Sequence, residues 1–289
     1  MVQNGSLAVE HSDPSFRYSG LKFCMMLGCR IPWLAPIVVL EFGFHGPPLI
    51  RRMATLSDIS IITSARNESE GVPNLKRYIS ALEKNANFDT HFIIIDNNST
   101  DDTYRALQNA FGGDSDKSVY RLENSTSFRE GIEYAFTKVT TPYVMIFPSD
   151  LQHPVEDSIA LLNNFEQHCG AHDNFAVFSN RVRLDGAFNR FRGTIYRKIV
   201  KFLCPSLLSD PSSPLKAFTF NPNVLPESKL FLNFDIELQF NLLSSGYRFL
   251  EVPSFFVPRR TGKSNFRLDL IAILKALVYV RQLGRLGKN

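Results

Sequence analysis

Along residues 58–85 the apolar positions change their period. "DISIITSA", residues 58–65, is a β-branched run ending in small polar residues and predicts a strand. "VPNLKRYISALEKN", residues 72–85, spaces Leu75, Ile79 and Leu82 for one helix face and carries Pro73 in its first turn. The alternation then recurs. "HFIIID" precedes "TDDTYRALQNAF", "SVYRLE" precedes "SFREGIEYAFTKV", "YVMIF" precedes "PVEDSIALLNNFEQH", and "FAVFSN" precedes a basic helical segment from Phe191. Runs such as "FIII" and "YVMIF" are apolar throughout, as strands are when helices cover both faces of a parallel sheet. The predicted fold class is α/β, an open, mostly parallel, doubly wound sheet.

Ligands of such sheets bind beyond the carboxyl ends of the strands. Three polar segments fall there: "TSARNESEG" after the first strand, "DNNSTDDT" after the second and "PSDLQHP" after the fourth. Taken alone, "DNNSTDDT" reads equally well as an Asx-rich turn feeding a helix N-cap. Neither GxGxxG nor GxxxxGK[ST] occurs, so a bound nucleotide is held by something other than a glycine-rich phosphate loop.

Composition adds limits. With 44% hydrophobic and 21% charged residues among 289, the chain has neither a disordered protein's polarity nor a multi-span membrane protein's apolar excess. The net charge of +4 is unevenly placed: residues 259–289 hold eight Lys/Arg and one acid, and residues 181–201 hold seven Lys/Arg against Asp185. Two basic clusters on a mildly acidic body predict anionic ligands or an anionic surface, and no nucleic acid partner. Cys24, Cys29, Cys169 and Cys204 form no CxxC pair, and His168 with His172, four apart around Gly170, lack the flanking acid of a metal helix.

Residues 1–52 differ in character from the rest. "IPWLAPIVVLEFGFHGPPLI", 31–50, has the length of a bilayer span but contains Glu41, His45 and four prolines. The segment is expected to be a poorly packed extension or, with Met53 as initiator, a mis-called start. The expected domain then spans 53–265, followed by an amphipathic basic helix and tail at 266–289. On a helix from Phe266 to Leu283, Arg267, Lys275 and Arg281 share one side, opposite Ile273, Ala276, Leu277, Val280 and Leu283. That helix suits a membrane interface or core packing equally.

From Asp58 to about Leu268 the chain resembles family-two glycosyltransferases of the GT-A fold, especially polyprenyl-phosphate sugar synthases of the dolichol-phosphate mannose synthase type. Ser64-Ala65-Arg66-Asn67-Glu68 matches a P-T-Y-N-E segment, Asp96 to Thr103 matches D-D-x-S-x-D-x-T, and Pro148 to Pro154 matches D-A-D-L-Q-H-P. Later, Ser209 to Phe218 is similar to D-x-x-S-G-F-[RK], and Arg259, Gly262 and Ser264 match R-x-x-G-x-S-K. Among the departures are Arg66 for an aromatic, Asn97 for Asp, Pro214 for Gly, Asn265 for Lys, and Pro148 where the carboxylate pair has its first Asp.

The resemblance implies an inverting hexosyltransferase that takes a UDP- or GDP-hexose and serves a polyprenyl phosphate or sugar acceptor. It implies a donor site of Ala65, Arg66, Glu68, Asp96, Asn97, Ser99, Asp150 and Gln152. Mg2+ or Mn2+ would sit on Asp150 and Gln152, whose oxygens suit a hard cation beside a diphosphate. Asp150 and Arg259 would be catalytic, and Arg181, Arg192, Arg197, Arg259 and Ser264 would hold the acceptor phosphate. By spacing alone these arginines also read as a solvated helix face. A hydroxyl acceptor would need a base, with Asp210, Asp235 and Glu237 as candidates. The expected location is cytoplasmic, peripheral on the cytoplasmic face of a membrane. Two rivals stand beside this reading: a catalytically lapsed subunit that binds a nucleotide-sugar or lipid phosphate, favoured by Pro148, and a nucleotidyltransferase, disfavoured because "TSARNESEG" lacks a lysine.

Overall fold

The computed structural model describes residues 58–125, 127–226 and 234–258, with Val278 and Arg281 beyond them. The chain divides into two units, Met1–Arg51 and Arg52–Asn289, and every described residue belongs to the second. The extension at 1–52 and most of the tail at 266–289 lie outside the described residues; Val278 and Arg281 are helical and exposed.

The elements are β1 (Asp58–Ala65), α1 (Val72–Asn85), β2 (Asp89–Asn97), α2 (Thr103–Phe111), β3 (Lys117–Leu122), α3 (Phe128–Phe136), β4 (Tyr143–Ile146), α4 (Val155–Cys169), β5 (Phe175–Arg183), α5 (Ala187–Leu203), β6 (Lys216–Thr219), α6 (Phe234–Ser244) and β7 (Arg248–Phe256). Seven strands form one sheet in the order β3-β2-β1-β4-β6-β5-β7. β6 alone runs antiparallel to its neighbours, so β4 and β5 point the same way and the sheet is mostly parallel.

The two-residue period of each strand builds the core. Ile59, Ile61, Ile94, Met145, Phe147 and Val177 face α1, α2 and α4 in one apolar cluster. Ile62, Ile93, Ile95, Val144, Ile146 and Phe178 face α3 and α6 in another. Helices thus cover both faces, which is why these strands read as continuous apolar runs. Burying each such side chain contributes roughly 1.5–3 kcal/mol, enough in sum to fix the register that aligns the strand ends. That register pairs Ala65 with Asp96 and Ile62 with Ile146.

Local chemistry sets the helix starts. Ser127 and Glu130 form a reciprocal capping box at α3, each side chain accepting from the other's backbone N–H at 3.3 Å. Gly131, in the first turn of α3, is needed for close approach. A Cβ there would lie 2.6 Å from Ser64 Oγ and 3.3 Å from the Asn97 side chain.

Candidate active site

Each of the first four parallel strands leaves the sheet through a left-handed residue: Asn67, Asn98, Asn124 and Leu151 have φ of 54°, 55°, 64° and 51°. Asn adopts this conformation readily through local hydrogen bonds, whereas for Leu it costs roughly 1–2 kcal/mol. Leu151 therefore marks the "DLQ" turn as one held by its surroundings.

Three of those exits are tied together. Asn67 N donates to Ser99 Oγ at 3.0 Å, Thr100 N donates to Asn67 Oδ1 at 2.8 Å, and Glu68 N donates to Thr103 Oγ1 at 2.8 Å. Asp101 accepts from Ser69 Oγ at 2.8 Å and from Thr103 N at 3.0 Å; burial works to raise its carboxyl, yet these hydrogen bonds hold it below the usual range. On the other side of β1, Ser149 Oγ donates to Ser64 O at 2.8 Å. The loops beginning at Arg66, Asp96 and Asp150 are thereby fixed on neighbouring strands at one edge of the sheet.

Within this frame Ala65 is buried, Arg66 and Glu68 are half-buried, and the Asp150 loop is half-buried rather than sealed. Ser99 serves as the acceptor that staples β1's exit. Asn97 turns toward α3, where its Nδ2 donates to Ser127 O at 2.8 Å. Asp96 points to the opposite face, 0% exposed, and neither carboxylate oxygen has a hydrogen-bond partner. Its nearest cation, Arg121 Nε, is 3.7 Å from Oδ2, while the Arg121 guanidinium lies over the Tyr104 ring. A buried carboxylate without donors is unfavourable by itself, so this atom pair is suited to receive an N–H or O–H.

The "DLQHP" turn is bolted to the end of β7. Gln152 Nε2 donates to Val257 O and Val257 N donates to Gln152 O, both at 2.9 Å. With Nε2 so used, Gln152 keeps Oε1 as an acceptor, and its backbone N donates to Asp150 Oδ1 at 3.3 Å. Next in sequence, His153 is buried with Nδ1 2.6 Å from Ser254 Oγ, and that hydroxyl donates to Asp157 Oδ2 at 3.0 Å. The Ser254 proton is thus committed, so His153 Nδ1 carries the proton it shares. Burial, reinforced by the nearby Arg181 charge and opposed by Asp210, pushes His153 down to about 3 and keeps the ring neutral.

The basic residues divide. Arg181 makes a bidentate pair with Asp210, Nε to Oδ2 at 2.7 Å and Nη2 to Oδ1 at 2.8 Å, and stacks over Phe256 at 5.6 Å. Burial works to raise the Asp210 carboxyl, but the hydrogen bonds and charge of Arg181 outweigh it and hold the group below its usual range. Arg197 joins them through Nη1 to Arg181 O at 3.2 Å. Arg192 does not; it stands exposed over the Phe188 ring, about 140° around α5 from Arg197 at 100° per residue. Arg259 and Ser264 lie outside the described residues.

All three candidate bases have a cation. Asp210 holds Arg181, Asp235 holds Lys216, and Glu237 takes Arg129 Nη1 at 2.9 Å. Lys216 is wholly buried between Phe178 and Phe234, 5.4 and 5.8 Å from their ring centres, and burial lowers its ammonium although Asp235 works against the shift. Asp101 and Thr103 fall on lettered positions of the strand-end motif, yet their role in stapling the loops, like that of Ser149 and of the hook at Asp157, is visible only in the structure. Asp157 carries one available signal, an acid in the first turn of α4.

As to a divalent cation, the described residues contain no cluster of three His, Cys, Asp or Glu side chains placed to hold one. Asp150 and Gln152 Oε1 offer two hard oxygens, which fits an ion whose remaining ligands are diphosphate oxygens. No helix among the described residues is long and apolar enough to cross a membrane.

Sheet order, mostly parallel direction and strand-end loops define a GT-A fold. The chain belongs to the family described as glycosyl transferase family 2, whose profile matches residues 60–223, over half the chain. It is 26% identical over 161 residues to an undecaprenyl-phosphate 4-deoxy-4-formamido-L-arabinose transferase of Pseudomonas fluorescens (strain SBW25), an alignment covering 55% of this chain and 46% of that relative. The chain thus spans about half the length of the curated relative it matches. Among solved structures, glucosyl-3-phosphoglycerate synthase of Mycobacterium tuberculosis, in complex with Mn2+ and UDP-glucose, aligns at a TM-score of 0.58 and 18% identity over 80% of this chain and 79% of that one. Mannosyl-3-phosphoglycerate synthase of Rubrobacter xylanophilus aligns at 0.58 and 14% identity over 81% and 76%. At these identities the likeness is one of fold.

Proposed function

We propose that the protein transfers a hexose, with inversion, from a UDP- or GDP-linked donor to a polyprenyl phosphate, working peripherally at the cytoplasmic face of a membrane. The observation that carries the donor half is the buried Asp96 carboxylate, which accepts no hydrogen bond, in a strand-end frame stapled from Asn67 to Ser99 and from Ser149 to Ser64. A nucleotide base would bring the N–H that Asp96 lacks, with the partly exposed Arg121 side chain moving aside to admit it. Asp150 and Gln152 would hold Mg2+ or Mn2+ against the donor diphosphate. Such an ion, when bound, neutralises the charge that develops on the leaving group. Solved relatives of this fold are described in complex with UDP-glucose and Mn2+, which supports the same donor class here.

The acceptor half rests on the ion pairs. Asp210, Asp235 and Glu237 are each engaged by a buried or half-buried cation, so none stands ready as a strong base. A phosphate acceptor arrives already ionised and needs only orientation toward the sugar carbon. The polyprenyl-phosphate substrate in the curated relative's name supports that choice. Arg197, Arg259 and Ser264 are assigned to the acceptor phosphate, while Arg181 positions that region through Asp210. Charge stabilisation by fixed donors then carries the step.

Pro148 favours a second reading, a subunit that binds the donor without turning it over. A thermal-shift panel of UDP- and GDP-sugars, with and without manganese, followed by transfer of labelled sugar to a short polyprenyl phosphate, separates the two. A raised midpoint with transfer supports the enzyme; a raised midpoint without transfer supports the subunit; no shift at millimolar donor overturns both.

A further inference from the structure

Helix α5 turns five large apolar side chains to solvent. Phe188, Phe191, Ile195, Ile199 and Phe202 are exposed, the three phenylalanines by 71%, 64% and 85%. At 100° and 1.5 Å per residue they occupy an arc of about 80° and a length of about 20 Å. This is not the face by which α5 is attached. Val200 anchors the helix to Cys204, Leu207 and Ile236, and Arg183 lies against Gly193 on that attached side.

The charge on α5 is of one sign. Arg190, Arg192, Arg197, Lys198 and Lys201 are its only ionisable acids or bases apart from Tyr196, and it holds no carboxylate. Arg192 and Lys198 border the apolar stripe, each about 20° beyond one of its edges. The Arg192 guanidinium already packs over Phe188 at 5.5 Å, its charged end free to reach past the ring. Where β5 ends and the chain turns into α5, Val182 and Leu184 are also exposed, and Val182 is opposed by the exposed Phe255 of β7. Because β5 and β7 run parallel to β1 and β4, this apolar surface begins at the edge of the sheet that carries the Asp150 turn.

A water-soluble helix ordinarily presents such a stripe to a core, and a contiguous exposed patch marks something that covers it. We propose that α5 docks on an anionic phospholipid bilayer, its apolar stripe entering the headgroup layer and Arg192 and Lys198 meeting lipid phosphates on either side. Charge selects this occupant: a second copy of the chain would bring two acid-free cationic helices together, whereas an anionic surface complements them. The inference deepens the reading above and rests on it only for the idea that the acceptor is a lipid. Docked this way, α5 brings the Asp150 edge to the level where a polyprenyl phosphate presents its headgroup.

The test is co-sedimentation of the full chain with vesicles of phosphatidylcholine alone or with phosphatidylglycerol, both free of polyprenyl phosphate. Binding to the phosphatidylglycerol vesicles is expected to be at least about tenfold tighter and to weaken with salt. Phe191→Asp with Phe202→Asp, and separately Arg192→Glu with Lys198→Glu, should each lower it about tenfold or more, with melting midpoint and donor-induced thermal shift unchanged. A wild type that stays in the supernatant, or binding that survives both double substitutions, overturns the proposal. So does a vesicle-free dimer that the phenylalanine substitutions convert to monomer, since a second copy would then cover the stripe. Vesicle binding without any donor-induced shift would sink the glycosyl-transfer reading and leave this one standing.

Discussion

The guanidinium of Arg181 and the carboxylate of Asp210 meet in a bidentate pair at 2.7 and 2.8 Å, Asp210 being almost wholly buried. The pair links the end of β5 to the segment that enters β6, and the Phe256 ring lies against both the guanidinium and His153. Arg181→Ala leaves Asp210 buried without its cation and should lower stability by about 3–5 kcal/mol. Replacing both partners by apolar residues should restore much of that loss. Urea unfolding of the single and double variants measures the difference.

Asp96→Asn should move stability and binding in opposite directions. Removing the charge of a fully buried carboxylate that accepts no hydrogen bond, and whose nearest cation, Arg121, stands at 3.7 Å, is expected to stabilise the ligand-free protein by about 1–3 kcal/mol. Donor affinity should fall by about tenfold or more as the acceptor for the base N–H weakens. Melting midpoints without and with UDP- or GDP-sugar report both signs in one experiment.

Asp150→Asn should reduce turnover by at least about a hundredfold with little change in melting midpoint, because the side chain is half-buried and its loop is held by Gln152 and Ser149. Pro148→Asp adds the missing carboxylate. It is expected to lower the manganese concentration for half-maximal rate by about tenfold while changing the maximal rate only modestly. A silent wild type awakened by Pro148→Asp would instead mark a lapsed enzyme.

His153 makes stability depend on pH. Its folded value of about 3 lies below the ordinary 6.5, so between these values the unfolded chain binds a proton that the folded chain refuses. Stability conferred by the neutral ring is complete above pH 6.5 and declines as pH falls, by up to about 1.4 kcal/mol per unit. His153→Gln should remove about one proton from the difference between unfolded and folded states over that window. Urea titrations at several pH values read this slope.

Much of this architecture is legible in sequence, for identifiable reasons. β1 falls where its β-branched run places it, buried on both faces, and α1 falls where the helical period places it, buried on the face that the period marks. By contrast β6, four residues beginning with Lys216, is announced by no run of apolar residues. Its strand character depends on antiparallel partners on both sides and on Asp235 for its lysine, all remote in sequence. The site loops are readable as polar strand ends. The division of labour within them is not, since Ser99 and Asn97 act on neighbours that only the register brings close. Likewise, sequence reading notices the arginines of α5 and passes over the stripe between them, because the same spacing ordinarily denotes a core face.

The reciprocal pairing of Gln152 and Val257 has a mechanical corollary. Backbone leaving β7 at Val257 and the turn that follows Asp150 are joined by two hydrogen bonds, so a displacement of one loads the other. On the proposed function, a lipid phosphate held downstream of Val257 would act on the Asp150 turn through this clamp.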